Sequence, residues 1–195
     1  EAAYPDSDSH PVGRFHVALM NGATTQATAV ARERMEDPSL SPIERSEGAE
    51  WLAKIAYREG RLAEARRLTE QAARLAGQAS TSLEGLRYAM GAYRERALGT
   101  PEAARDFLGR AMETGAYSTL PVAFVDFGAG IAAMSGAPRE ARSIIAEAER
   151  ARPDEFAADA AIRSGVWIRL AEGETSGLGE EVARLLGERG CTGPY

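Results

Sequence analysis

The sequence predicts an all-α protein assembled from about five helix hairpins, and three observations carry that expectation. Five glycines, Gly22, Gly60, Gly99, Gly136 and Gly173, recur at intervals of 38, 39, 37 and 37 residues, and a fixed period in this range marks a repeat array. Helix-start signals fall in phase with these glycines. No segment sustains the period-two alternation of a half-buried strand.

Taken in order, residues 1–10 (EAAYPDSDSH) are polar, contain a proline and read as a lead-in. A single repeat domain is expected over 11–189, followed by a tail or linker over 190–195. The expected helix pairs are 11–21 and 24–36, 42–59 and 61–77, 81–98 and 101–114, 119–135 and 137–151, and 154–172 and 176–189. Ser41-Pro42-Ile43-Glu44 is a strong start signal. Serine caps orphan amides, proline suits the first helical position, and glutamate completes a capping box. Thr81 with Glu84 predicts a second box, and Thr100-Pro101 a cap followed by a first-turn proline. Pro138 and Pro153 open two further helices. Each periodic glycine lies between two helical runs, where a residue without Cβ closes a helix most cheaply in the left-handed region. Within 61–77, Leu62, Ala65, Leu68, Ala72 and Leu75 keep helical spacing, and Ala141, Ile144, Ile145 and Ala148 do so within 137–151. Both runs predict a buried stripe with the charges outside.

Composition excludes several functions. A formal charge of −6 argues against a general nucleic-acid or anionic-membrane surface, which needs a basic excess. No run approaches the roughly 18 apolar residues of a membrane-spanning helix. The lone cysteine, Cys191, permits no internal disulfide, so the redox compartment stays open. The cytoplasm is favoured, with an extracytoplasmic domain of a larger protein as the alternative.

The tail of each unit resembles the tetratricopeptide repeat, a helix-turn-helix module of about 34 residues. Unit three carries Gly99, Ala104, Leu108 and Ala111, and unit four Gly136, Ala141, Ile145 and Ala148 with Pro153 as a closing proline. Unit two has Gly60, Ala65 and Ala72 but Thr69 in the bulky slot. Unit five keeps Gly173 and substitutes Leu178, Val182 and Leu185, and unit one keeps Gly22 and Ala27, then has Ala31 and Arg34. Small residues let neighbouring helices approach, and bulky ones fill the groove between units. The resemblance covers 12–189 and implies a right-handed superhelical array of antiparallel hairpins. Departures are visible: the period runs three to five residues longer than about 34. Gly91, Gly128 and Gly165 also lie one residue further from their turn glycines than the family's small residue, a rotation of about 100° on a helix. A related helical solenoid is the alternative.

In such arrays the first helices line a concave face that holds peptides. The resemblance places Glu50, Lys54, Tyr57 and Arg58 near that face in unit two, Tyr93 and Arg96 in unit three, Asp126 in unit four and Trp167 in unit five. Aromatics and arginine are enriched at binding hot spots. Equally, Tyr93 and Trp167 could plug the packing between units. The chaperone-binding subtype, which needs two asparagines on first helices, is disfavoured because the chain has only Asn21, at a turn.

Candidate chemistry is thin. Val122-Ala123-Phe124-Val125-Asp126-Phe127 followed by Gly128-Ala129-Gly130-Ile131-Ala132-Ala133 imitates a strand entering a dinucleotide-binding turn, with Glu147 downstream. Gly128 is nevertheless in phase with Gly91 and Gly165, and further strand–helix alternation is absent. The run is read as a helix with small packing residues. His10 and His16 lack the i, i+4 spacing of a helical metal pair, and Cys191 has no neighbouring histidine to activate it. Carboxylates share helix faces with arginines, as in Glu64-Ala65-Arg66-Arg67, the pattern of solvated faces.

The expectation is therefore a non-catalytic interaction scaffold without cofactor or metal, binding a protein or peptide. The alternatives are a small-ligand sensor near Tyr93, Asp126 and Trp167, or a self-association module using Leu185 and Leu186. Alanine- and arginine-rich composition, a start at Glu1 and the tail Thr192-Gly193-Pro194-Tyr195 suggest a portion of a larger bacterial signalling or regulatory protein, in which the domain packs on its neighbours.

Overall fold

The computed structural model describes residues 10–156, 160–174 and 176–180, apart from the side chains of residues 123, 155, 156, 160–164 and 167. Expectations resting on Val182, Leu185, Leu186, Cys191, the tail and most of the lead-in lie outside the described residues. Ten α-helices and no strand occur among the described residues. They are α1 (Pro11–Met20), α2 (Thr24–Glu36), α3 (Pro42–Arg58), α4 (Leu62–Gly77), α5 (Thr81–Leu98), α6 (Pro101–Glu113), α7 (Val122–Met134), α8 (Pro138–Ala151), α9 (Pro153–Phe156) and α10 (Ala160–Ala171). No described helix is long and apolar enough to cross a membrane.

Start signals account for the boundaries. The Ser41 hydroxyl accepts from the Glu44 amide at 3.3 Å while the Glu44 carboxylate accepts from the Ser41 amide at 3.0 Å, a reciprocal capping box. Thr100 caps α6 by accepting from the Ala103 amide at 3.3 Å. The box expected at Thr81 and Glu84 does not form. Ser80 is the N-cap and makes no side-chain cap bond, so Thr81 is already inside the helix and Glu84 lies one position too late. The stretch from Val122 that imitates a nucleotide-binding turn is α7.

Four of the five periodic glycines are left-handed: Gly22 and Gly60 at φ 73°, Gly136 at 76° and Gly173 at 79°. They close α1, α3, α7 and α10, and amides beyond each glycine fold back onto the last helical carbonyls, as Arg61 N does to Ala56 O at 2.9 Å. Gly99 is different. Its φ is −118°, outside the left-handed region, so handedness does not require glycine there.

Chain contacts divide the protein into two compact units, residues 1–116 and 117–195. In the first, α1 to α6 pack successively, and α3 also touches α5. Phe15 of α1 stacks on Trp51 of α3 with centroids 4.6 Å apart, and both join a core with Ala27, Val30, Leu52, Ile55 and Leu68. The predicted stripe on α4 is inward, with Ala65, Leu68, Ala72 and Leu75 buried. Thr69, polar in the bulky slot, is also buried and donates its hydroxyl to Ala65 O at 3.0 Å. Two close approaches depend on missing Cβ atoms. A Cβ on Gly48 would meet the Met35 amide nitrogen at 2.5 Å, and one on Gly91 the Thr69 methyl at 2.6 Å.

In the second unit α7 packs on α8 and α10, and α8 on α9. Ala141, Ile144, Ile145 and Ala148 of α8 are buried as predicted. Gly128 gives Tyr117 its place, since a Cβ there would lie 2.5 Å from the phenol oxygen. The Glu147 carboxylate accepts from the Ser118 amide at 3.1 Å.

Two glycine substitutions should separate backbone strain from helix propensity. Gly60→Ala puts a side chain into a left-handed turn with open space around it, and the expected loss is about 1–2 kcal/mol. Gly109→Ala, inside α6 and equally unobstructed, should gain about 0.5–1 kcal/mol. Urea midpoints of the two variants should therefore move in opposite directions.

Candidate functional site: the seam between α3 and α5

Three sets of contacts give the relative direction of these helices. Ser46 and Glu50 of α3 meet Arg87 of α5, Glu50 also meets Arg94, and Tyr57 meets Glu95. Residue numbers rise together on both sides, so α3 and α5 run parallel. Between them α4 runs the other way, with Arg66 on Glu95 and Thr69 beside Gly91.

Two polar networks fix this seam. The outer one is centred on Glu50, whose carboxylate bridges the guanidinium groups of Arg87 and Arg94, the latter at 2.6 Å. Arg87 also donates to the Ser46 hydroxyl at 2.8 Å. All three charged side chains are largely shielded, so their attraction is screened less than that of an exposed pair.

The inner network is centred on Glu95, whose side chain is fully buried. Its carboxylate accepts from the Tyr57 hydroxyl at 2.8 Å, from Arg66 at 2.8 and 2.9 Å, and from the Thr100 amide at 3.0 Å. Burial pushes the carboxyl toward the neutral form, but the Arg66, Thr100 and Tyr57 donors outweigh it and hold its pKa below the ordinary glutamate range. Burial, and then donation to Glu95, push the Tyr57 phenol above its ordinary value. Gly99 belongs to this network. A Cβ on it would lie 2.0 Å from a Glu95 carboxylate oxygen, so glycine is needed to leave room for the carboxylate.

The predicted surface residues separate on these contacts. Glu50 is half-buried within the outer network, and Lys54 is half-buried one turn further along. Arg58, Tyr93 and Arg96 are exposed, Tyr93 by 45 %. Tyr57 does not reach the surface, being 2 % exposed with its hydroxyl committed to Glu95. Counting along α3 alone could not separate it from Lys54, because the partner carboxylate lies 38 residues away. Asp126 is half-buried on α7 of the second unit. The backbone of Trp167 belongs to α10, and its side chain lies outside those described. Ser46, Arg87, Arg94 and Glu95 carry no signal of their own in the sequence, where each sits in an ordinary charged helix. The only available hint was the phase of Glu95 and Gly99, four residues apart at the end of one helix.

Two cavities among the described residues lie away from this seam. One cleft of about 150 Å³ opens between Pro11 and Arg14 of α1 and Val30, Glu33 and Arg34 of α2. A shallow depression of about 330 Å³ in the second unit is lined by Ala133, Met134, Gly136, Leu170 and Ala171. No group of three or more potential metal-ligating side chains occurs among the described residues.

Removing the inner carboxylate should loosen the first unit. Glu95→Ala strands the buried Tyr57 hydroxyl, and the expected loss is about 2–3 kcal/mol. Because the folded-state pKa of Glu95 is depressed, its contribution is complete above the unfolded value of about 4.3 and is lost as pH falls through the folded value. Urea unfolding from pH 7 to pH 3 should therefore show a smaller acid-induced loss in Glu95→Gln than in the parent chain. As for known proteins, no family model matches this chain, and no curated protein or solved structure matches it either.

Proposed function

We propose that this chain is a non-catalytic interaction module of tetratricopeptide-like hairpins that docks a peptide or a neighbouring domain along its first helices. Support for the hairpin reading comes from the in-phase glycines, four of them left-handed, and from the parallel α3 and α5 with α4 antiparallel between them. The right-handed superhelix and the place within a larger regulatory protein belong to the same proposal.

The observation that carries the binding reading is the distribution of exposure along the seam. α3 is buried on its flanks by α2, α4 and α5, and its less buried positions recur as Ile43, Glu47, Glu50, Lys54 and Arg58. On α5 they recur as Leu86, Met90, Tyr93 and Ala97. These spacings of three and four place each set on one helix face. Two rigid parallel helices with an aromatic, arginine and lysine on their open side suit an extended or helical segment. A small-ligand sensor is less well supported. The cleft at α1 and α2, about 150 Å³, is smaller than the ~300–1,000 Å³ of ordinary small-molecule sites, and the depression of about 330 Å³ in the second unit is shallow and lined by neither Tyr93 nor Asp126.

Selection from a displayed random peptide library tests the reading. Enriched peptides should bind the parent chain and lose about tenfold or more in affinity for Lys54→Ala/Arg58→Ala/Tyr93→Ala, a change of roughly 1.4 kcal/mol. The triple variant should keep the parent's circular dichroism and melting temperature. No enrichment, or enrichment indifferent to the triple variant, would reject docking on this face.

A further inference from the structure

We infer that the α3–α5 face takes a carboxylate-bearing partner segment with an apolar side chain, an inference that rests on the docking reading above. Glu50 stands four residues before Lys54, the favoured orientation for a glutamate–lysine pair on a helix. Its carboxylate is instead turned to Arg87 and Arg94, and Lys54 has no ion pair to any described residue. Arg58 follows one turn later and is likewise without an ionic partner among the described residues. The nearest carboxylate in sequence, Glu59, is committed to Arg61 at 2.6 Å. Glu47, the other acidic residue on the face, is held by Arg34 at 2.7 Å. Lys54 and Arg58 therefore form a like-charged i, i+4 pair, an arrangement that costs a helix stability and that no ion pair among the described residues offsets.

The outer network adds to the same sign, since two guanidinium groups share a single carboxylate. Across the seam the surface turns apolar, with Leu86, Met90 and Tyr93 spaced along α5. Acidic groups over α3 and an apolar side chain over α5 match this division. The formal charge of the whole chain is −6, so its long-range field attracts basic segments and repels acidic ones. A preference for acidic segments must come from the local face rather than from net charge.

The charge of the selected peptides and a charge reversal test this. From an unbiased random library, the enriched pool should be rich in aspartate and glutamate together with leucine or an aromatic. Binding of a fluorescein-labelled selected peptide, read by anisotropy, should weaken as NaCl rises from 0.05 to 0.5 M, as screening requires (Debye length falling from roughly 14 to 4 Å). Lys54→Glu/Arg58→Glu should weaken it by about tenfold or more. Lys54→Arg should retain binding, and unchanged circular dichroism in both variants separates recognition from unfolding. An enriched pool that is neutral or basic, yet still sensitive to Tyr93→Ala, would overturn the acidic chemistry while leaving the docking reading in place. A library that yields no binder overturns both.

Discussion

The carboxylate of Glu95 is the point on which the first unit's register depends. A buried carboxylate is tolerable only when its lone pairs are filled, and four donated hydrogen bonds arrive from Tyr57, Arg66 and Thr100. These donors belong to α3, to α4 and to the amino-terminal cap of α6, while the acceptor belongs to α5. One charge thus ties one hairpin to the next and sets the start of the helix that follows. A slip of either helix by one residue would rotate its side chains by about 100° and leave that charge unpaired.

Gly99 acquires its meaning from the same group. Its spacing matches that of Gly60 and Gly136, yet those glycines answer to a positive φ and Gly99 to space. One sequence signal therefore covers two physical requirements: a turn that L-residues resist, and a carboxylate that leaves no room for a Cβ. Close packing elsewhere follows the second kind of rule. Gly48 admits the α2 backbone and Gly91 the Thr69 methyl, so neighbouring helices can approach where most side chains would hold them apart.

With the inner network supplying register, the outer surface of the seam is released from that task. Glu50 is drawn sideways to Arg87 and Arg94 and is unavailable to Lys54. Among the described residues, Lys54 and Arg58 consequently lack ion partners on this stripe, beside an apolar strip and in a chain whose net charge is negative. Under the docking reading proposed above, that local reversal of sign is what would select the partner. It arises from how the two helices are docked rather than from the composition of either.

The sequence by itself determined the helical class and both ends of the first eight helices to within about three residues, because caps, prolines and glycines act on their immediate neighbours. It also determined the buried stripes of α4 and α8, since burial with a period of 3.6 is local information. It misjudged the box at Thr81, where one residue of shift places Ser80 at the cap. Tertiary structure alone decided which polar residues are surface and which are framework. Tyr57 and Lys54 are three residues apart on one helix, yet one is sealed under a carboxylate 38 residues away and the other is half-open. Arg87 and Arg94 look like solvated charges until Glu50, 37 and 44 residues earlier, is brought between them. Partners at such separations are chosen by packing, and no local propensity records the choice.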